Sequence, residues 1–415
     1  MAGSGQLALI GVSIGYRTAM VSQPSPNEQS EVPLAIRRRL SRPFDPAAEF
    51  AWLRDEKPVV RTNVPLLTGG MSEAWMVTRY NDVRKVLGDS AFRLATVVKD
   101  GSAEAGAVVD VDDLRLPEAI ASAFTMRNLK LLRPRIEELI EGQLDRLGQR
   151  GNAGDIVFDF AMPVSALVIC ELLGIPYADQ EQFQQNSAAF IDTSLSAEQQ
   201  AAAGLALYEY FHDQVVRRRQ APGVGLLGRL VRDHGDEFDD QQIITMATVL
   251  TVAGYETTAS TLALSVLVLM GVPEQLAAVR DDPECVDRAV EELLRYLSVI
   301  NYGALRVAAA DVLIGNQKIE KGEVVIAHLP SANRDEELVD RPDVLDIRRR
   351  PVAHVAFGHG SRQCVGQQLA RLELRCALPM LFRRFPRLRA AKSLRDIEFR
   401  EWSIVNGVRT LPVEW

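Results

Sequence analysis

Cys364 lies in a glycine-rich run, FGHGSRQCVG, at residues 357–366. Glycines allow a backbone to turn tightly around a sulfur atom. A helical pattern begins directly afterwards, and the N–H groups and positive dipole end of a helix N-terminus favour thiolate over thiol. Arg362 adds a cation two residues before the sulfur. A lone cysteine is more often a buried structural residue, but these residue types together predict an anionic sulfur ligand.

A second group of chemically capable residues, Ala253–Thr258, has the sequence AGYETT. Gly254 allows another group to approach the backbone closely, and Thr257 and Thr258 can bond back to carbonyl groups one turn earlier and distort the helix. One interpretation is a polar patch solvated by buried water. The other is a groove in which Glu256 and Thr257 transfer protons, because a buried acid–alcohol pair can pass protons through water while bulk water is excluded.

The element that must carry this second group is a long helix predicted from Gln241 to Met270. Asp239 and Asp240 lie at its predicted start, and Gly271 lies at its end. Its length and apolarity would allow a membrane span. A carboxylate near the bilayer centre would cost roughly 3 kcal/mol, however. The helix is therefore predicted to be the central helix of a large soluble core.

Shorter elements are predicted between the two groups. One helix begins at Pro273, and another runs from about Glu284 to Leu297. Gly315-Asn316 suits a tight turn between short strands, and a further strand is predicted from Glu323 to His328. Upstream, residues 91–112 lack clear periodicity, which is typical of a mobile lid.

Composition narrows the class of protein. The chain has 415 residues, of which 47% are hydrophobic and 25% charged, as in an ordinary soluble globular enzyme. Its net charge of −8 argues against a general affinity for nucleic acid. Its four cysteines have no paired spacing and its five histidines form no zinc signature. These features predict a reduced, cytoplasmic protein without a disulfide framework.

The N-terminal region is predicted to hold neither a membrane segment nor a signal peptide. The apolar run Leu7–Val12 is too short to span a bilayer and has no basic segment before it. Residues 22–28 have the composition of a flexible tail. We therefore predict a flexible tail over residues 1–31 and one domain over residues 32–415.

Taken together, the two motifs resemble those of the cytochrome P450 family. The cysteine loop matches the family pattern Phe-Gly-x-Gly-x-Arg/His-x-Cys-x-Gly at every defined position, and the helix matches Ala-Gly-x-Glu/Asp-Thr. The resemblance covers roughly Pro43 to Trp415 and is sharpest from Val252 to Arg375. It implies a mainly α-helical (α+β) fold with a small, mostly antiparallel β region, and a soluble bacterial type of enzyme.

The resemblance also implies roles for individual residues. Cys364 would be the axial ligand of haem b (iron protoporphyrin IX), while Glu256 and Thr257 would relay protons to dioxygen. Glu292 and Arg295, which alone could be an exposed i,i+3 ion pair, would join Arg349 in a buried network beneath the haem loop. The other haem contacts implied are Arg115, Arg306, His354, Phe357, Gly358, Arg362 and Gly366, and the substrate-pocket residues are Ala253, Gly254, Ile300, Asn301, Ile404 and Val405.

One segment departs from the family pattern. Bacterial relatives carry His-x-Arg-x-Arg about ten residues before Ala-Phe-Thr, and this segment contributes further contacts to the haem propionates. Here Asp113 replaces the histidine, Pro117 replaces the second arginine, and only Arg115 is kept. Either the haem has fewer contacts at its rim, or the segment has been rebuilt for a different pocket or partner.

The reaction implied is hydroxylation of a C–H bond in a small, mostly hydrophobic natural product of secondary metabolism. It would use O2 and two electrons from a ferredoxin and its ferredoxin reductase, with Arg371 and Arg375 on the docking face. Three alternatives stay open: oxidative C–C or C–N coupling by the same oxidant, a non-catalytic haem sensor or carrier, and a haem-free helical protein with a structural cysteine.

Overall fold

Helices form most of the chain, as the family resemblance implied. The computed structural model describes residues 33–39, 42–65, 71–98, 107–110, 118–191, 195–301, 303–400 and 403–415. The tail predicted over residues 1–31 lies outside these ranges. The helices are α1 (Glu49–Glu56), α2 (Tyr80–Gly88), α3 (Glu118–Ala123), α4 (Met126–Gln149), α5 (Met162–Leu173), α6 (Gln180–Ile191), α7 (Ala197–Gln220), α8 (Gly225–His234), α9 (Asp240–Met270), α10 (Pro273–Asp281), α11 (Pro283–Leu297), α12 (Leu329–Ala332) and α13 (Gln367–Arg384).

The strands are short and mostly antiparallel. They are β1 (Arg38–Arg39), β2 (Arg42–Pro46), β3 (Val59–Pro65), β4 (Met71–Val77), β5 (Phe92–Val98), β6 (Ala107–Asp110), β7 (Ala153–Asp155), β8 (Ala304–Ala308), β9 (Val312–Ile314), β10 (Gln317–Ile319), β11 (Val324–Ala327), β12 (Arg389–Ala390) and β13 (Pro412–Glu414). Six of them form a sheet in the order β3-β4-β11-β8-β5-β6. Only the β11–β4 pair in this sheet is parallel. Two pairs and a three-stranded sheet, β12-β13-β7, complete the described β structure.

Helix α9 confirms the long apolar helix predicted from the sequence. A capping box closes its start: the Asp239 side chain accepts from the Gln242 N–H at 2.8 Å, and the Gln242 side chain accepts from the Asp239 N–H at 2.9 Å. The helix is long and apolar enough to cross a membrane, but 78% of its most apolar 18-residue window is buried inside the fold. It packs against α5, α7 and α13, so most of its apolar surface is covered by protein.

The elements that follow α9 also agree with the sequence predictions. Helix α10 begins at Pro273 and α11 ends at Leu297. The turn Gly315-Asn316 joins β9 to β10, and β11 lies within the strand predicted from Glu323 to His328. A proline in the first turn sets the start of α10 and of α11, and a Gly-Asn turn sets the break between β9 and β10.

The segment 91–112, predicted to be a mobile lid because it lacks clear periodicity, contains two strands that the sequence did not indicate. Strands β5 and β6 lie within it and pair with each other, and β5 also pairs with β8. The segments contain several valines, which favour extended structure. They do not alternate with polar residues, so the period-two signal was absent from the sequence.

A buried carboxyl group joins α13 to α5. Glu373 is 3% exposed, and its Oε1 accepts from the Ser165 hydroxyl at 2.5 Å. Desolvation raises the pKa of Glu373 from 4.5 to about 7, and the Ser165 hydrogen bond only partly opposes that rise. The folded protein therefore favours the neutral acid at this position.

Because the folded pKa is above the unfolded one, the stability associated with neutral Glu373 is fully present below about pH 4.5 and is lost as pH rises to about 7. A shift of this size corresponds to about 3 kcal/mol at 1.36 kcal/mol per pKa unit. We predict that, as pH rises from about 4.5 to about 8, the free energy of unfolding of Glu373→Gln increases relative to that of wild type by up to this amount. Urea midpoints at the two pH values measure it.

The exposed Glu284 on α11 provides the matched control. Glu284→Gln should keep the wild-type dependence of stability on pH, since it makes the same chemical change at a side chain that is exposed to solvent. If Glu373→Gln and wild type lost stability in parallel over this range, the neutral state of Glu373 would be disproved.

Candidate active site

The cysteine loop is held by its own backbone and by α2. Gly358 and Gly360 have φ values of 76° and 79°, which favour glycine. The Cys364 N–H donates to the Phe357 carbonyl at 2.9 Å. A Cβ on Gly360 would lie 2.9 Å from the Cα of Gly88, the last residue of α2. The loop is therefore held between α2 and the start of α13, and Gly360 is needed for the close approach to α2.

Cys364 differs from the other three cysteines, which the structure places in the core. Cys170, Cys285 and Cys376 are buried, whereas Cys364 is exposed. Backbone N–H groups of Gly366 and Gln367 donate to its sulfur. Protein atoms still surround much of the side chain, so desolvation raises the pKa of the Cys364 thiol, while the two N–H groups act in the opposite direction.

The sulfur would act as a single protein ligand. Within the described ranges, no three side chains of the types His, Cys, Asp and Glu lie close enough together to hold a metal ion. Among the described residues, Cys364 therefore belongs to no cluster that could hold a metal ion by itself. A haem would bring most of the iron's ligands with it and would need one from the protein, which Cys364 could supply.

Helix α9 presents an accessible stripe in the middle of its buried length. Val249 is 46% exposed, Ala253 is exposed and Thr257 is half-buried, and these residues are spaced four apart on one face. The Thr257 hydroxyl donates to the Ala253 carbonyl at 2.8 Å, as predicted, and the helix continues unbroken through it. A helix that is otherwise enclosed thus lines an open space with small side chains and one hydroxyl.

Glu256 lies next to this stripe and is 3% exposed. One of its carboxylate oxygens, Oε1, forms an ion pair with Arg400. The other, Oε2, is buried and has no hydrogen-bond partner among the described residues. A buried carboxylate oxygen without a protein partner is available to hold a proton or a water molecule.

Sequence reasoning did not find Arg400. It is separated from Glu256 by 144 residues, and no local motif surrounds it. Its backbone N–H donates to the Gly407 carbonyl at 2.9 Å, which fixes the segment beside Ser260 of α9. A Cβ on Gly407 would lie 2.9 Å from the Ser260 hydroxyl and 3.6 Å from the Arg400 guanidinium carbon.

Glu292, Arg295 and Arg349 lie together, as the family resemblance implied. The Arg295 guanidinium donates to both Glu292 oxygens at 2.8 Å, and Arg349 Nε donates to Glu292 Oε1 at 3.2 Å. The Arg295 side chain is 0% exposed and that of Glu292 is 3% exposed. Arg295 also donates to the carbonyl groups of Asn333 and Pro342, both at 2.8 Å. The network therefore ties α11 to the loops that lead to Cys364.

Comparisons with known proteins decide the family. The Cytochrome P450 family model matches residues 209–409. Cytochrome P450 FAS1 of Rhodococcoides fascians is 40% identical and aligns over 93% of this chain and 99% of its own length. The chain belongs to the cytochrome P450 family. A vitamin D3 dihydroxylase of Streptomyces griseolus is 39% identical over 90% of this chain and 95% of its own. The crystal structure of CYP105P1 in complex with filipin I has a TM-score of 0.83 at 37% identity, covering 93% and 99% of the two chains.

Membership gives this cytochrome P450 its general chemistry. It is a monooxygenase of the haem-thiolate type, which acts on a small molecule with O2 and electrons from redox partners. The residues present fit such a group. An accessible sulfur with two N–H donors precedes α13, and small residues on one face of the otherwise mostly buried α9 are accessible.

The cations predicted around the haem have different surroundings in the P450 structure. Arg306 is 4% exposed on β8, and its Nη1 donates to the Leu305 carbonyl at 2.9 Å. His354 Nε2 lies 3.2 Å from Glu291, and its Nδ1 accepts from the Ala356 N–H at 3.3 Å. Arg362 is half-buried at the end of a short turn in the cysteine loop. Arg115, with Asp113 and Pro117, lies outside the described residues.

The predicted pocket segments pair with each other. Ile300 and Val405 form an isolated β-bridge, and the Asn301 N–H donates to the Ile404 carbonyl at 2.8 Å. Asn301 is 2% exposed, and its side-chain amide is used inside the protein: Oδ1 accepts from Arg38 Nε at 2.9 Å and Nδ2 donates to the Ser403 carbonyl at 2.7 Å. These contacts explain how Asn301 holds the 403–405 segment in place.

Two further features of the P450 were not predicted from the sequence. A Cβ on Gly254 would meet Ile169 of α5 at 2.7 Å, so this glycine permits the close packing of α5 on α9. A groove of about 400 Å³ is lined by Arg135, Arg146 and Tyr177, and it contains none of the predicted site residues. The groove is therefore not part of the candidate site formed by Cys364, Glu256 and Thr257.

Proposed function

We propose that this cytochrome P450 is a cytoplasmic haem b enzyme of secondary metabolism that hydroxylates a C–H bond of a small, mostly hydrophobic natural product. The reaction would consume O2 and two electrons supplied by a ferredoxin and its ferredoxin reductase. The observation that carries the proposal is Cys364, an accessible cysteine whose sulfur receives two backbone N–H groups.

Each proposed role rests on a different side chain. Cys364 would hold the iron, and an electron-rich thiolate is the ligand type that favours dioxygen cleavage. When bound, the haem would supply the oxidising chemistry that no amino-acid side chain provides. The haem propionates would be met by cations and donors of the surrounding loops, for which we propose Arg115, Arg306, His354 and Arg362.

Glu256 and Thr257 are the proposed proton carriers. The Thr257 hydroxyl donates to the Ala253 carbonyl and keeps its own lone pairs as acceptors. Among the described residues, the buried Oε2 atom of Glu256 has no hydrogen-bond partner, while Arg400 pairs with Oε1. A proton held on Glu256 could therefore reach the accessible stripe of α9 through water or through the Thr257 hydroxyl.

The substrate class is supported by the pocket and by the relatives. Ile300 and Ile404, both half-buried, supply apolar surface where the two pocket segments pair, whereas Val405 is buried. Similar proteins include a vitamin D3 dihydroxylase and a P450 crystallised with filipin I. All four cysteines are free, which supports a reducing compartment and hence the cytoplasm.

The absorbance spectrum of the reduced protein under carbon monoxide tests the haem-thiolate assignment. We expect a strongly red-shifted band, and a spectrum without it would disprove the proposal. A screen of natural products by the change in haem spin state should then identify ligands of the pocket. Binding confined to polar or large charged compounds would exclude the proposed substrate class.

We predict that Thr257→Ala diverts reducing equivalents from product to peroxide. The variant lacks the hydroxyl that would pass a proton along the accessible stripe, and a positioned proton donor contributes roughly 10²–10⁴-fold to a rate. With a ligand from the spin-state screen, electron consumption, peroxide and product are measured together. Most of the electrons consumed by the variant should appear as peroxide.

Thr257→Ser is the matched control, because it keeps the hydroxyl and removes only a methyl group. It should couple electrons to product nearly as well as wild type. Equal coupling in wild type and Thr257→Ala would exclude Thr257 from proton transfer.

A further inference from the structure

A buried charge cluster lies beside the cysteine loop, and two of its three members, Glu291 and Arg371, have no role in the proposed reaction. We call Glu291, His354 and Arg371 the proximal cluster. Arg371 binds Glu291 through two hydrogen bonds, from Nε to Oε1 at 2.7 Å and from Nη2 to Oε2 at 2.9 Å. His354 Nε2 contacts the same Oε2 at 3.2 Å. A bidentate arginine–carboxylate pair of this geometry is strong and orientationally fixed.

The proximal cluster is shielded from solvent. The side chains of Glu291, Arg371 and His354 are 16%, 13% and 3% exposed. Burial alone would raise the pKa of Glu291, but the hydrogen bonds from His354 and Arg371 outweigh it and lower the pKa to about 2. Glu291 therefore stays ionised at neutral pH beside the Arg371 guanidinium, and the field of buried charges is only weakly screened by salt.

Arg371 touches the cysteine loop directly. Its guanidinium carbon lies 4.6 Å from the centroid of the Phe357 ring, a cation–π distance. The Phe357 carbonyl in turn accepts from the Cys364 N–H at 2.9 Å. The charge of Arg371 also favours the anionic form of the Cys364 sulfur. The positive end of the ion pair thus faces the loop, and Glu291 lies behind it on α11.

This arrangement conflicts with a free docking role for Arg371. Its donors are directed at Glu291 and at Gln367, whose Oε1 accepts at 2.9 Å. Arg375, one turn later on α13, is 29% exposed and pairs with the exposed Asp287. Arg375 is therefore the residue of the two that is accessible to a partner, and Arg371 is committed to the loop.

We propose that Arg371 and Glu291 are positioning residues that set the electrostatic potential at the Cys364 sulfur and, through it, the reduction potential of the iron. This inference rests on the proposed haem-thiolate function. Reduction adds negative charge, so a nearby cation stabilises the reduced state and a nearby anion destabilises it. Removing the charge of Arg371 should lower the midpoint potential, and removing the charge of Glu291 should raise it.

Four variants test the inference by spectroelectrochemical titration of the haem-loaded protein. Arg371→Gln should shift the midpoint potential downward and Glu291→Gln should shift it upward. Arg371→Lys keeps the charge and should stay near wild type. Asp287→Asn makes the same carboxylate-to-amide change one turn before Glu291, at a side chain that is 74% exposed. Its effect should be small and should vanish at high salt, whereas the shifts of the buried pair should persist.

Opposite signs are the decisive result, because general damage to the loop would move both buried-charge variants in the same direction. Shifts of equal sign, or no shift in either, would overturn the inference while the red-shifted carbon monoxide band of wild type still supported a haem-thiolate enzyme. If that band were absent in wild type, the proposed function would fall and this inference with it. If Arg371→Gln fails to take up haem, the comparison of Glu291→Gln with Asp287→Asn still tests the inference. Only Glu291→Gln is expected to raise the midpoint potential by an amount that persists at high salt.

Discussion

Replacing Cys364 with serine is expected to abolish the red-shifted band of the reduced, carbon-monoxide-bound protein and all product formation. A serine hydroxyl is far less acidic than a thiol and does not provide the soft, electron-rich sulfur that a haem-thiolate centre requires. The substitution changes one atom in a loop whose glycine turns and Phe357 hydrogen bond stay in place. The effect should therefore be chemical, with the helical content of the protein unchanged by circular dichroism.

Cys376→Ala is the control for the loss of a cysteine from the same region. Cys376 lies on α13, the helix that follows Cys364, but it is buried and its sulfur lies 3.8 Å from Glu137 of α4. This variant should keep the red-shifted band. A band of unchanged position and intensity in Cys364→Ser would exclude Cys364 as the ligand, and the axial ligand would then have to be sought at another residue.

The parts of the site that could be predicted from sequence are those built by local signals. The turn around Cys364 depends on glycines within six residues of it, and α9 begins at a capping box formed by Asp239 and Gln242. The i,i+3 spacing of Glu292 and Arg295 places both on one face of α11. The helix bounds from α9 to α11 follow from such signals, which is why they were predicted to within about a residue.

The parts that could not be predicted depend on packing between distant segments. Arg400 meets Glu256 across 144 residues, and Arg371 meets Glu291 across 80. No pattern within either segment encodes these partners, because they are set by how α9, α11 and α13 pack. Strands β5 and β6 were missed for a similar reason: β5 is completed by pairing with β8, about two hundred residues later.

The buried network of Glu292 gives the second large effect, this time on stability. We expect Glu292→Gln to lower the free energy of unfolding by about 3–5 kcal/mol, the usual cost of removing one partner from a buried ion pair. The glutamine keeps the shape of the side chain but removes its charge and turns one acceptor into a donor. Arg295, 0% exposed, would then face that donor with its charge uncompensated, and Arg349 would lose the same partner. Urea unfolding at equal haem content measures the change as a lower midpoint with an unchanged slope.

Glu284→Gln makes the same chemical change on the same helix at an exposed position. It should cost no more than about 0.5 kcal/mol, because a solvated charge in the first helical turn contributes little. The difference between the two variants isolates burial from the glutamate-to-glutamine change itself. A cost for Glu292→Gln as small as that for Glu284→Gln would mean that the backbone carbonyls of Asn333 and Pro342 suffice to hold Arg295. Glu292 would then be dispensable for holding α11 against the loops that lead to Cys364.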